Sequence, residues 1–142
     1  MQTVLRNGFG NVYMTTEYDA VNKWVYNNWI GHQTLSGVMV GADACLQPLK
    51  EHACQFLLND NRHVIGPWDH AVQWIVAEWA PRAIAQGLTH FAHVVSAKSL
   101  AALSAESMHI GIGGRLQMRM FDDITDARAW LHEAQNSQQP HK

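Results

Sequence analysis

Side chains able to do chemistry concentrate in one stretch of the sequence. Asp60, Arg62, His63, Asp69 and His70 fall between positions 60 and 70 of a chain in which charged residues make up only 15%. An arginine beside a helix N-terminus can receive an anionic group, and Asp60 stands where it would orient Arg62. The candidate ligand-binding residues are therefore Asp60, Arg62, His63 and Asp69. Each carboxylate also has a local use: Asp60 can satisfy loop amides, and Asp69 can stabilise a first helical turn. His63 with Asp60 or Asp69 has the makings of an acid–base pair, but no clear nucleophile stands beside them. Ser96, Ser99, Ser104 and Ser107 fall in or near a helix, in capping and solvent-facing roles. No catalytic residue is assigned.

Nine histidines invite a metal site, and their spacing argues against one. His90 and His93 are three apart on an expected strand, so their side chains point to opposite faces. His63 and His70 straddle a loop and a helix start, with no HExxH motif or Cys/His pair to support them. Surface and edge positions are expected for the histidines. Cys45 and Cys54 match no zinc pattern; both have apolar neighbours and read as buried free thiols. The run Gly111-Ile112-Gly113-Gly114 follows a helix and precedes a strand, the reverse of the order a phosphate loop needs. It reads as a flexible connection. No cofactor follows from any of these motifs.

The elements that must position these residues can be read from periodicity. Val12 to Tyr18 and Lys23 to Trp29 are rich in β-branched and aromatic residues around an Asp19 to Asn22 turn, which predicts a hairpin. Leu35, Val38, Met39, Ala42, Leu46 and Leu49 recur at helical spacing from Thr34 to about Lys50. Gln55 to Leu58 predicts a short buried strand, ended by a turn at Asn59-Asp60-Asn61. Gly66-Pro67 opens the longest helix, with a core stripe of Val72, Ile75, Val76, Trp79 and Ala83; Pro81 should kink or break it before Gly87. His90 to Val95 predicts a second buried strand, and Ser96 a cap for a helix from about Ala97 to Ser107. Leu116, Met118 and Met120 alternate with Gln117 and Arg119, as in a strand wet on one face. Asp123 can cap the last helix, whose inner stripe is Ile124, Ala127, Leu131 and Ala134.

The order is β-β-α-β-α-β-α-β-α: an α/β single domain with a mixed sheet, packed helices and right-handed crossovers. With 142 residues there is room for one domain, taken as 1–135, followed by a polar tail at 136–142. Ten Lys+Arg against twelve Asp+Glu, with no block of either sign, argue against a nucleic-acid groove or a polybasic membrane contact. Met1 to Gly10 lacks the apolar stretch of a secretory signal, and no run is long enough for a membrane span. A cytoplasmic location is expected.

Particular residues carry a family likeness. Trp24 and Gly31 surround the second strand, Leu58-Asn59-Asp60-Asn61-Arg62 follows the third, and Trp79-Ala80-Pro81-Arg82-Ala83 comes with Gly87. Phe121-Asp122 and Ala127-Arg128-Ala129-Trp130-Leu131 lie near the C-terminus. Over residues 12–134 the chain resembles an uncharacterised group of small bacterial STAS-like proteins. These share the fold of anti-sigma-factor antagonists and are distantly similar to CRAL-TRIO lipid carriers. The resemblance implies a fold more than an activity. STAS phospho-switches carry a Ser or Thr at the start of the helix after the third strand; Asp60 to Asp69 contains no hydroxyl residue, so such a switch is unsupported.

Three functional readings follow. The first is a non-enzymatic regulatory or protein-interaction module, with a protein partner or a second copy of itself as a homodimer. Its candidate interface is Trp74, Glu78 and Arg82, which share the polar side of their helix at i, i+4 and i+8. The second is a small-molecule or lipid-binding carrier, with a small anionic or lipid ligand. The third and weakest is an enzyme using Asp60, Arg62 and His63.

Overall fold

The computed structural model of the chain describes residues 1–137. Six strands lie side by side in the order in which they occur: β1 (Thr3–Arg6), β2 (Val12–Asp19), β3 (Trp24–Gly31), β4 (Phe56–Val64), β5 (His90–Val94) and β6 (Gln117–Phe121). The first three form an antiparallel ribbon, and β3 through β6 run parallel. Helices α1 (Leu35–Glu51), α2 (a composite over 69–85), α3 (Leu100–Ile112) and α4 (Ile124–Ser137) complete the described fold.

Because the strand order never reverses, crossovers of one hand deposit their helices on one face of the sheet. Accordingly α1, α2 and α3 bury Leu46, Trp79 and Met108 in a single core with Met14, Val25, Leu57 and Phe91. Among the described residues only α4 covers the other face, where Ala127 and Leu131 pack on Trp24, Phe56, Leu58 and Val94. The strand alternation read from the sequence supplies both sets. Leu116 and Met118 face inward while Gln117 and Arg119 are exposed.

The hairpin, the α1 stripe from Val38 to Leu49 and the last helix stand where periodicity put them, whereas Leu35, expected in that stripe, is exposed. The Asp19 carboxylate accepts from the Val21 and Asn22 amides, which holds the turn. Thr34 caps α1 by accepting from the Gly37 amide, and Asp123 accepts from the Thr125 amide at the start of α4. Asn136 and Ser137, expected in the tail, still belong to α4, and residues 138–142 lie outside the described residues.

Five expectations are corrected. An extra edge strand, β1, precedes the hairpin; only Leu5 of its four residues is even half-buried, so it carries no hydrophobic signature. β4 does not end at Leu58 but runs to Val64, because the Asn59, Asp60 and Asn61 side chains are buried and Asn59 and Asp60 bond to side chains of neighbouring strands. Helix α2 starts at Asp69 rather than at Gly66-Pro67, and it continues through Pro81 to Ala85. The ring of Pro81 would crowd the carbonyl of Ala77, and the preceding turn opens instead into a π-turn at Ile75–Trp79. The cap of α3 is Ser99, which accepts from the Ala102 amide, not Ser96. Gly111 and Ile112, expected in a loop, are the last residues of that helix.

Helix α1 lies close against the sheet at Gly41. A Cβ there would stand 2.6 Å from the Trp29 ring, whose position is fixed by burial. Gly41→Ala is therefore expected to cost about 1 to 2 kcal/mol through overpacking, despite alanine's higher helix propensity. Urea unfolding checks this; a stabilised variant would show that the two layers slide apart freely.

Candidate functional site

The covered face of the sheet carries a row of polar side chains where an apolar layer would be ordinary. Thr16, Asn27, Asn59 and His93 stand opposite one another in a single register line across β2, β3, β4 and β5. All four are buried, and they form one chain of hydrogen bonds. The Thr16 hydroxyl donates to Asn27 Oδ1 at 2.6 Å, and Asn27 Nδ2 donates to Asn59 Oδ1 at 3.3 Å. Trp29 Nε1 also donates to Asn59 Oδ1, at 2.9 Å.

An indole N–H can only donate, so this last bond fixes the Asn59 amide with its oxygen toward β3. Asn59 Nδ2 then donates to His93 Nε2, 3.3 Å away. Nε2 must accept, which places the proton of the neutral ring on Nδ1. Burial pushes the His93 pKa down from 6.5 to about 3; the nearby Asp60 opposes this shift and His109 adds to it. The ring is therefore neutral at ordinary pH. Its Nδ1 is buried and meets no partner among the described residues.

A cavity of about 50 Å³ lies between this row and the helix layer. That exceeds the ~10–15 Å³ one water requires. Its walls include Asn59, Asn61 and His93 from the sheet, Ile75 and Trp79 from the two ends of the π-turn, and Trp68 and Gln33 from the loops. Trp68 Nε1 and Gln33 Oε1 are likewise buried without a partner among the described residues. The Gln33 amide nitrogen sits over the carbonyls of Tyr13, Ile30 and Gly31, so its oxygen is the free end. The three residues that own these atoms, two donors and one acceptor, all line the same small cavity. The wall contains no Asp, Glu, Lys or Arg among the described residues.

The residues singled out from sequence lie elsewhere. Asp60 and Arg62 point to the opposite face, where Arg62 Nε and Nη2 grip the Asp60 carboxylate at 3.0 and 2.8 Å. The Tyr26 hydroxyl donates to Asp60 at 2.7 Å, and the Arg62 amide donates at 3.0 Å. Burial alone would raise the Asp60 pKa, but Arg62 and Tyr26 outweigh it and hold it below 3.8. The same burial and the Asp60 charge push Tyr26 up to about 12. Asp60 does orient Arg62, but the guanidinium fork is thereby occupied by a carboxylate of its own chain. His63 and Asp69 are exposed, and no side-chain hydrogen bond joins either to Asp60 or Arg62 among the described residues.

His90 and His93 do face opposite sides, yet both are buried, contrary to the surface positions expected of the histidines. His90 packs against Phe56 and Trp130 over α4, and His93 near Trp68 over the cavity. Ser104 is also buried rather than solvent-facing, and its hydroxyl accepts from the Trp68 amide at 2.9 Å. Cys45 and Cys54 are buried and free, and burial pushes the Cys45 thiol up to about 12. Trp74, Glu78 and Arg82 do meet: the Arg82 guanidinium lies 5.8 Å from the Trp74 ring centre and bonds to the Glu78 carbonyl. Arg82 also reaches Asp43 of α1 at 2.7 Å, and Trp74 is half-buried against the core.

Sequence reading passed over the polar row because Asn is a turn signal when its partners are unknown. The available sign was the recurrence of Asn27, Asn59 and Asn61 inside apolar runs, where strands are depleted in Asn. The chain matches no protein-family model, no curated protein and no solved structure.

Proposed function

We propose that the protein is a non-enzymatic binding module, STAS-like in type, that holds a small molecule between the sheet and helix α2. The observation that carries this reading is the cavity itself, whose lining includes His93, Trp68 and Gln33, each with a buried polar atom that has no partner among the described residues. Leaving such groups unsatisfied costs on the order of 1–3 kcal/mol each, so an occupant that pairs with them is held strongly for its size. The wall offers no activated nucleophile, and a histidine with a pKa near 3 is a poor base at neutral pH. The π-turn adds support, since such widened turns recur at functional sites and both of its ends, Ile75 and Trp79, line the cavity. The STAS likeness draws support from the N-terminal ribbon leading into strand–helix units.

A fragment screen read by thermal shift tests the proposal. Small uncharged fragments should raise the Tm of the wild type but not that of Ala42→Leu, whose added side chain fills the cavity from α1. Equal responses from the two proteins would sink the reading.

A second reading, contact with a protein partner, is favoured by α3, which leaves Leu103 and Ile110 exposed. The Trp74 face is less open, because Arg82 lies over the ring. Trp74→Glu is expected to lose about 1 to 2 kcal/mol of stability from partial burial while leaving sedimentation unchanged. A wild-type dimer that falls apart in this variant would restore Trp74, Glu78 and Arg82 as the interface.

A further inference from the structure

We infer that Asn7 is a site of self-modification, at which its side-chain amide is lost through attack by the backbone nitrogen of Gly8. No other asparagine of the chain precedes a glycine, and Asn7 stands in the exposed turn between β1 and β2. The reacting atoms, Gly8 N and Asn7 Cγ, are near neighbours along the chain, so local rotation alone lets them close a succinimide ring. The Gly8 amide donates no hydrogen bond among the described residues, which leaves its proton open to hydroxide. Glycine brings no side chain to hinder the approach. At the other reacting group, Asn7 Oδ1 already accepts from the amides of Phe9 and Asn11 at 3.0 and 3.1 Å. Donors so placed stabilise the negative charge that this oxygen takes on as the ring closes. Asn27, Asn59 and Asn61, by contrast, are buried within the sheet.

Hydroxide removes the Gly8 amide proton, the nitrogen bonds to Cγ, and Nδ2 leaves as ammonia after taking a proton from water. The succinimide then adds a water molecule. Opening at the Cγ–N bond gives aspartate on an unchanged backbone. Opening at the bond to the Asn7 carbonyl carbon gives isoaspartate, whose main chain runs through Cβ and Cγ. The two products treat the turn differently. Asn7 closes it with its own backbone, donating to the Asn11 carbonyl at 2.8 Å and accepting from the Gly10 amide at 3.0 Å. Aspartate keeps these bonds, and its carboxylate still accepts from Phe9 and Asn11. Isoaspartate lengthens the main chain at this point and breaks the closure. Strand β1 has little else to hold it, with Leu5 alone half-buried, so the isoaspartate product releases the edge strand.

Incubation of the folded protein in mildly alkaline buffer, followed by peptide mapping with mass spectrometry, tests this. The expected result is a gain of a single mass unit in the peptide that holds Asn7 and Gly8, with ammonia released and both isomers present. Gly8→Ala fits the turn, since a Cβ there would meet nothing within 4 Å. It should slow the reaction about tenfold, because the added methyl restricts the rotation that glycine allows. In the isolated isoaspartate form, the β1 amides should lose their protection against hydrogen exchange while those of β3 and β4 keep theirs. An unchanged mass, modification of another asparagine ahead of Asn7, or an equal rate in Gly8→Ala would overturn the site. Retained protection of β1 would overturn the release of the strand.

Discussion

Acidification from pH 6.5 to pH 5 is expected to remove about 2 kcal/mol of folding stability through His93 alone. The folded protein keeps this imidazole neutral down to about pH 3, whereas the unfolded chain protonates it near 6.5. Below 6.5 the unfolded state therefore binds the extra proton, and stability rises with pH across the window from about 3 to 6.5. Above that window the two states bind protons alike at this site and the contribution is full. Few carboxylates titrate between 5 and 6.5, so the interval isolates histidines. His90, whose pKa burial also lowers, adds a shallower slope of the same sign. His93→Gln should flatten most of the dependence, because its amide oxygen can still accept from Asn59 but takes up no proton. Urea unfolding at steps between pH 5 and 7 measures this. An equal slope in wild type and variant would mean that water reaches the ring.

On the opposite face, Asp60→Ala is expected to cost about 3 kcal/mol at pH 7, the loss seen when one member of a buried, hydrogen-bonded pair is removed. The change strands the Tyr26 hydroxyl and the Arg62 guanidinium and amide at once. Arg62 is 36% exposed and can turn partly to water, which keeps the figure at the lower end of the range for buried pairs. Asp60→Asn should cost less, since it can still accept from Tyr26. The pH window differs from that of His93. A carboxylate with a lowered folded pKa contributes fully above 3.8 and loses its contribution as pH falls through the folded value. A double-mutant cycle with Arg62→Ala separates the pair from its surroundings, and a coupling near zero would show that Asp60 acts through Tyr26 and the backbone alone.

Much of this fold is written in local periodicity. The alternation around Met118 and the helical stripe from Val38 to Leu49 each bury what their spacing says they should. The edge strand β1 is invisible to that reading because three of its four residues face solvent. The site is harder to read for a different reason. Asn59 and Asp60 are adjacent, so they serve opposite faces; Asn59 bonds to residues about thirty positions away in sequence, and Asp60 to Tyr26 at a like separation as well as to Arg62. A turn was the economical assignment for Asn59-Asp60-Asn61 as long as those partners were unseen. The grouping of Asp60 with Arg62 was legible, because a two-residue spacing on a strand shares a face. The grouping of Trp68 with His93 was not, because it depends on how α2 lies across the sheet.

The unbroken succession of strands has a consequence for how the chain comes into being. Each new strand pairs with the one synthesised just before it, so no pairing must wait for a distant segment and each loop closed is short. The ribbon β1–β3 can form first, and each later helix and strand adds to an edge already in place, a sequence that suits growth from the N-terminus during translation. Helix α4 comes last and lies alone on its side. Until it docks, Trp24, Phe56 and Leu58 face water, and the nascent protein passes through a stage with one sheet face bare.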